Sequence, residues 1–168
     1  FSIGYGKIAE YNAPKAGGIT YGDSLDKSTL SGGWEWVSEE AETIHPEVNK
    51  NNEYEVKIKV DDDNYDYTQF IQEGFSYDAA THTVRTTVKV PVEAKTVGIK
   101  VNNISDYTGS VQVPELKVVA ENLVGNDECE VSGFDTDPKE VKNKGDYKVT
   151  GIKLTNDNYT AKDTSFSI

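Results

Sequence analysis

The stretch that decides the fold is Glu53-Tyr54-Glu55-Val56-Lys57-Ile58-Lys59-Val60, in which charged and apolar side chains alternate at every step. Because successive side chains of a β-strand point to opposite faces of a sheet, this alternation predicts a strand with one buried face. Turn-forming runs of Gly, Asn, Asp and Ser separate it from similar segments, at the spacing typical of antiparallel sandwiches. The predicted fold class is therefore all-β. The other segments are Thr83–Val90, Val97–Val101, Leu116–Val119, Tyr147–Val149 and Ile152–Leu154.

The same strand-and-turn pattern occurs twice in the chain. Glu53–Tyr65 aligns with Asp146–Tyr159 when one inserted residue is allowed, and both stretches end in Asp-Asn-Tyr. In addition, Phe1-Ser2-Ile3 is the same tripeptide as Phe166-Ser167-Ile168. Internal similarity of this kind is the signature of repeated modules. We therefore expect a piece of a longer tandem array, in which residues 1–3 are the tail of a preceding repeat.

The length of 168 residues is enough for two small domains. We expect the first domain to span residues 1–92 and the second residues 93–168, with a short, semi-rigid junction that contains almost no glycine. The first domain is longer, and we attribute the difference to an extra hairpin over residues 75–90. In that hairpin, Phe75–Tyr77 is expected to pair with His82–Val90.

Charge and composition exclude several kinds of partner. The chain has 17 Lys and Arg against 29 Asp and Glu, a formal charge of −12, and this balance repels phosphate backbones and anionic lipid surfaces. No apolar run approaches the ~20 residues of a membrane-spanning helix. We expect a monomer that binds neither nucleic acid nor membrane. A single cysteine, Cys129, allows no intramolecular disulfide and no cysteine-based zinc site.

The sequence predicts no catalytic residues. Nucleophilic catalysis needs a base beside a serine or cysteine, and only His45 and His82 are available. His45 precedes Pro46 in a loop, and His82 stands at the start of a strand. A carboxylate pair for glycoside hydrolysis is an alternative that counting acids does not exclude, but domains of about 80 residues leave little room for a cleft.

The acidic run Asp61–Asp66 is the one candidate metal site, since oxygen-rich loops suit calcium. Asp61, Asp63 and Asp66 are the weak calcium candidates, although the run lacks the EF-hand spacing. The alternative is a polar turn, in which Asp and Asn side chains bond to nearby backbone amides. Otherwise we expect no cofactor.

Aromatic residues supply the candidate ligand-binding site. Trp34 and Trp36 lie at period two, so both side chains are expected on one face of a strand. With Tyr54, Tyr65 and Tyr77 they are candidates for contact with a ligand, because Tyr and Trp offer a large rigid surface with a polar tip. The alternative is that both tryptophans fill the core of a small domain that has few Leu and Phe.

These motifs, taken in order, resemble known cell-surface repeats. Ile19–Leu25, Ser28–Gly33 and Trp34–Trp36 resemble the "ITYG-x-x-L…S-x-L-x-G-G…W" repeat of large surface proteins of Firmicutes. The second half is similar to the MBG or YDG-type surface repeat. It departs from that pattern where Tyr-Thr-Gly replaces Tyr-Asp-Gly. The matching motifs there are Tyr107–Gly109, Val113–Leu116, Gly145–Val149, Asp157–Thr160 and Phe166–Ile168.

The resemblance implies two tandem β-sandwich or β-grasp-like domains along an exported, wall-attached protein, with no shared active site. We therefore expect a non-enzymatic extracellular module of a Gram-positive surface protein that adheres to a host protein, such as an immunoglobulin or a glycoprotein. Two alternatives remain open. In the first, the repeats are stalk spacers that contact only neighbouring repeats. In the second, they form a carbohydrate-binding module that binds a glycan and belongs to an exported glycoside hydrolase. A Lys–Asn isopeptide bond, for which the sequence has no recognisable motif, is a further open point.

Overall fold

The computed structural model describes all 168 residues, and it is all-β, of β-sandwich type, as the alternating pattern predicts. It has thirteen short strands, two single-turn 3-10 helices and no α-helix. The chain divides into two compact units, Phe1–Glu93 and Ala94–Ile168. The division lies one residue beyond the boundary expected from the sequence.

The first unit has six strands: β1 Ile19–Thr20, β2 Glu35–Trp36, β3 Glu53–Lys59, β4 Ser76–Asp78, β5 Thr83–Lys89 and β6 Val92–Glu93. Four of them form an antiparallel sheet in the order β2-β3-β5-β4. The two long strands, β3 and β5, pair from Glu53 opposite Lys89 to Lys59 opposite Thr83. A separate short pair, β1 with β6, is parallel, an arrangement that the sequence pattern does not predict.

The core of the first unit lies against one face of this sheet. Val56 of β3 and Val84 of β5 are completely buried, and Trp34, Tyr67 and Val88 pack around them. The alternation read from the sequence thus places Val56 inside, as a strand with one buried face requires. A second cluster forms beside it from the buried residues Ile19, Leu25, Ala41 and Val90.

The hairpin over residues 75–90 is present, but it is not an addition to the domain. β4 pairs with β5 from Ser76 opposite Arg85 to Asp78 opposite Thr83. However, β5 also pairs along its whole length with β3, so it is an inner strand of the sheet. The interpretation of this segment as an extra, removable hairpin is therefore wrong, because Val84 and Val88 belong to the core.

The second unit has seven strands: β7 Lys95–Val97, β8 Ile99–Val101, β9 Leu116–Val118, β10 Val131–Asp137, β11 Asp146–Leu154, β12 Tyr159–Ala161 and β13 Thr164–Ser167. Its largest sheet is three-stranded and antiparallel, in the order β10-β11-β13. Tyr147 of β11 stacks on Phe166 of β13, with ring centroids 5.2 Å apart and planes 11° from parallel. Val141 and Val149 complete the core of this unit.

The two halves of the internal repeat share their strand and differ at its end. The aligned segments contain β3 and β11, and each is an inner strand of its own sheet. Tyr159 is buried and donates a hydrogen bond from its hydroxyl to Asp127, whereas the aligned Tyr65 is exposed. The Phe-Ser-Ile tripeptides also differ, since Phe166 is buried in β13 while Phe1 is exposed and lies in no strand. Sequence identity over three residues therefore does not give the same structure.

Candidate ligand-binding groove

A glycine turn positions the two tryptophans. Gly32 and Gly33 have φ values of +65° and +79°, in a backbone region that residues with a side chain rarely adopt. The turn brings the backbone N–H of Trp34 to the carbonyl oxygen of Ser31, at 3.3 Å. Strand β2 follows immediately and pairs Trp36 with Val56 of the inner strand β3. The short β2 therefore holds Trp36 at the edge of the sheet.

Trp34 is a core residue. Only 7% of it is exposed, and its ring lies 6.1 Å from that of Tyr11 and 6.0 Å from that of Phe75, measured between centroids. Such tilted and edge-to-face contacts are favourable aromatic geometries. The interpretation of Trp34 as part of an open stacking platform is therefore wrong, and the alternative that it fills the core is correct.

Trp36 is half-buried, and its ring stands edge-on to Tyr54, with the centroids 6.4 Å apart and the planes at 90°. It forms part of the wall of two depressions. One is a groove of about 460 Å³, which is called the Trp36 groove below. The other is a pocket of about 140 Å³ beside Leu25 and Tyr54. Of the five candidate aromatic residues, Trp36 and Tyr54 are thus brought together.

The Trp36 groove is lined by both apolar and acidic side chains. Trp34 and Leu30 contribute apolar surface, and Asp26, Glu35, Glu39 and Glu42 supply four carboxylates, which are together called the acidic rim. Lys57 is the one cationic side chain in the lining. None of these five charged residues takes part in an ion pair. The groove therefore combines carboxylates that have no ionic partner with the half-buried ring of Trp36.

Local hydrogen bonds fix the acidic rim in place. The backbone N–H of Leu25 bonds to the carbonyl of Ile44 at 2.8 Å, and that of Asp26 bonds to Ala41 at 3.3 Å. A turn from Glu40 to Ile44, closed by a 3.2 Å bond, carries Ala41 into the core. The exposed side chains of the turn then face outward beside Trp36. The rim is consequently attached to a buried anchor and is not a free loop.

The indole N–H groups of both tryptophans remain available as donors. Neither donates a hydrogen bond within the protein, and no side-chain nitrogen or oxygen is buried without a partner. Both N–H groups therefore reach solvent. For Trp36 this places a donor, an aromatic face and several carboxylate acceptors within one groove, a combination that suits a polar ligand with an apolar or planar part.

Tyr65 and Tyr77 lie elsewhere in the first unit and do not line the Trp36 groove. Tyr65 is 38% exposed and packs over Gly6, where an added Cβ would lie 2.8 Å from the ring. Tyr77 stacks on Tyr67 with the centroids 5.4 Å apart. The five aromatic candidates therefore do not form one continuous platform, and this part of the expectation is wrong.

Asp62 links Tyr77 to His82. The Tyr77 hydroxyl donates to Asp62 Oδ2 at 2.7 Å, and His82 Nδ1 lies 2.6 Å from the same oxygen. The bond from Tyr77, followed by that from His82, lowers the pKa of the Asp62 carboxyl. The bond to Asp62 in turn raises the pKa of Tyr77 to about 12. No serine or cysteine hydrogen-bonds to His82, so the cluster does not have the geometry of a nucleophile and its base.

The acidic run Asp61–Asp66 forms a polar turn. Asp61 accepts hydrogen bonds from the backbone and side chain of Asn64, at 3.2 and 2.9 Å. Asp66 accepts two from Thr68, which lower the pKa of its carboxyl. No group of three or more His, Cys, Asp or Glu residues is placed to hold a metal ion. The structure therefore does not gather Asp61, Asp63 and Asp66 into a metal site, and the local hydrogen bonds to Asn64 and Thr68 are those of the polar-turn alternative.

Sequence reasoning missed two features. The first is the acidic rim, for which the signal was present in the run Glu39-Glu40-Ala41-Glu42 directly after the tryptophans. The second is an exposed apolar surface in the second unit, where Tyr107, Val111 and Val113 are between 52% and 81% exposed. These three lie in a segment without strands, between β8 and β9, where alternation gives no indication of which side chains face solvent.

Comparison with known proteins returned no relatives: no family model, no curated protein and no solved structure matches the chain. The structure contains no helix that is long and apolar enough to span a membrane.

Proposed function

We propose that this chain is a non-enzymatic extracellular recognition module of a Gram-positive bacterial surface protein, and that it adheres to a host protein through the Trp36 groove. The observation that carries the proposal is the half-buried Trp36, set in a groove with four carboxylates that have no ionic partner. The motif resemblance to surface repeats supports the extracellular setting. A host immunoglobulin or glycoprotein is the partner class that this resemblance suggests.

Energetic reasoning favours a recognition role over a purely structural one. Tryptophan is among the residues that contribute most to protein–protein binding, because its large rigid side chain excludes water from an interface. Leaving such a ring partly exposed forgoes part of the stabilisation that full burial gives. A spacer needs no groove of about 460 Å³ with an unpaired acidic rim. The groove is therefore better explained by a partner that covers it.

Binding to immobilised host proteins tests this proposal. Immunoglobulins, mucins and extracellular-matrix proteins would be screened by surface plasmon resonance with the intact chain and the Trp36→Ala variant. We expect saturable binding to one class, weakened at least tenfold by the substitution, as for an interface hot spot. Tyr107→Ala is the matched control, because it removes an exposed aromatic ring from the second unit. The absence of any saturable signal would favour the spacer role instead.

A carbohydrate-binding module is the second candidate. The same groove favours it, because a sugar ring stacks on an aromatic face while its hydroxyls bond to carboxylates and to an indole N–H. Affinity electrophoresis in gels that contain starch, xylan or mucin glycans separates this candidate from the first. Retardation that is lost in Trp36→Ala would support it, and unchanged mobility in every gel would exclude these glycans as ligands.

A further inference from the structure

The charge around the Trp36 groove indicates what kind of partner it takes, on the premise that the proposed function is correct. The first unit has 17 Asp and Glu against 8 Lys and Arg, so −9 of the chain's formal charge of −12 lies there. Four of those carboxylates and one ammonium group line the groove. Such a concentration of one sign attracts partners of the opposite sign and repels anionic ones.

The aromatic and acidic groups act on the same kind of ligand. A cation placed over the face of a tryptophan is attracted by the ring, and arginine also stacks on it through its planar guanidinium group. Carboxylates bind guanidinium groups through paired hydrogen bonds. Trp36 provides the aromatic face, while Glu39 and Glu42 provide exposed acceptors within the same groove. A long cationic side chain therefore satisfies both parts of the groove at once.

We propose that the Trp36 groove binds a basic segment of the partner protein, with an arginine or lysine side chain laid across Trp36 and its charge directed at Glu39 and Glu42. A volume of about 460 Å³ is large enough for such a side chain and the backbone next to it. Lys57 is the one group in the lining that opposes this ligand. Its removal is accordingly expected to strengthen binding.

The experiment uses the intact chain and three synthetic probes, measured by isothermal titration calorimetry. The probes are a capped peptide of alternating Arg and Gly, the corresponding peptide of Glu and Gly, and a neutral xylan oligosaccharide. We expect the Arg peptide to bind saturably and the Glu peptide not to bind. Because surface charge pairs are screened by salt, affinity for the Arg peptide should fall severalfold between about 50 mM and about 500 mM NaCl.

Substitutions assign the binding to the groove. The double substitution Glu39→Gln with Glu42→Gln is expected to weaken binding of the Arg peptide about fivefold. Lys57→Gln is expected to strengthen that binding about twofold. Both values follow from the usual strength of exposed charge pairs. The matched control is Glu128→Gln with Glu130→Gln, which makes the same change in net charge with two exposed residues of the second unit. We expect that control to change the affinity by less than about twofold.

Three results would overturn the inference: no binding of the Arg peptide, equal binding of the Glu peptide, or equal weakening by the two double substitutions. Binding of the xylan oligosaccharide alone would also overturn it. None of these results decides the proposed function, which is tested separately by the effect of Trp36→Ala on binding to host proteins. Circular dichroism of each variant confirms that the β-structure is retained.

Discussion

The ring of Trp36 stands perpendicular to the ring of Tyr54, with 6.4 Å between the two centroids. Tyr54 belongs to β3, the inner strand that also carries the fully buried Val56 opposite Trp36. The core of the first unit therefore fixes the orientation of Trp36, the less buried of the two tryptophans. A ligand that stacks on Trp36 meets a ring that is already held in place, which reduces the entropy lost on binding.

Tyr54→Ala is expected to release Trp36 and to weaken ligand binding. Edge-to-face aromatic pairs contribute about 0.5–1.5 kcal/mol, so the free energy of unfolding of the first unit should fall by about 1 kcal/mol from loss of the pair. Loss of the buried area of the Tyr54 side chain adds to this cost. Tyr54→Phe is the control. The Tyr54 hydroxyl has no hydrogen-bond partner in the protein, so this variant should behave as the wild type in urea unfolding and in binding. Equal loss in both variants would contradict the role given to the ring.

Ionic quenching of fluorescence is expected to distinguish the two tryptophans. In Trp34→Phe, the emission comes from Trp36. With each ion's quenching divided by its quenching of free tryptophan, caesium should quench this emission more strongly than iodide, because the surrounding carboxylates attract cations. In Trp36→Phe, the emission comes from Trp34, which is 7% exposed and should be quenched weakly by both ions. Stronger normalised quenching of Trp36 by iodide would show that its surroundings are not acidic.

Tyr77 is expected to ionise at unusually high pH. Its hydrogen bond to Asp62 raises its pKa from 10.0 to about 12, so the neutral phenol is favoured in the folded state. The contribution of the Tyr77–Asp62 hydrogen bond to the stability of the fold is complete below pH 10 and is lost as the pH rises through 12. The difference between the ultraviolet titrations of the wild type and Tyr77→Phe measures this value. Asp62→Ala should lower it, and Asp63→Ala, which removes a neighbouring carboxylate, is the control.

Asp62 is expected to contribute to stability at the acidic end of the pH range. Its pKa in the folded state lies below 3.8, so its contribution is complete above that pH and is lost as the pH falls through the lower, folded value. Thermal unfolding at successive pH values should therefore show a fall in the melting temperature below about pH 4, and this fall should be smaller in Asp62→Asn. An identical pH profile for the variant would contradict this role.

The two Phe-Ser-Ile tripeptides give a matched pair of substitutions. Phe166→Ala removes a buried ring that stacks on Tyr147, and such substitutions cost about 3–5 kcal/mol. Phe1→Ala removes a ring that is exposed, and the cost should be within about 0.5 kcal/mol. Chemical denaturation followed by circular dichroism measures both. Similar costs for the two variants would show that Phe1 is packed in solution.

The strands were predictable from sequence because alternation at period two reflects burial of one face, as in β3 and β5. The same local rule does not reveal which strand lies in the middle of a sheet. For this reason the sequence pattern does not distinguish an added hairpin over residues 75–90 from an integral part of the sheet, although Val84 is buried in the core. The parallel pairing of β1 with β6 was missed for the same reason, since it joins residues that are far apart in the sequence.

The candidate site was only partly predictable. The period-two spacing of Trp34 and Trp36 predicts side chains on one face, but spacing alone does not show that Trp34 is buried and Trp36 only half-buried. That difference depends on Tyr11 and Phe75, which cover Trp34 and come from distant parts of the chain. The acidic rim likewise needed tertiary structure, because backbone bonds from Leu25 and Asp26 place it beside Trp36.

The most direct test of the central claim is the affinity of the intact chain and its Trp36→Ala variant for purified host immunoglobulins, mucins and matrix proteins. Surface plasmon resonance at physiological salt measures it. The account predicts saturable binding of the wild type to one of these classes and at least a tenfold loss in the variant, while Tyr107→Ala binds normally. Binding that is unchanged by Trp36→Ala, or no saturable binding to any of them, would contradict the claim that the Trp36 groove recognises a host protein.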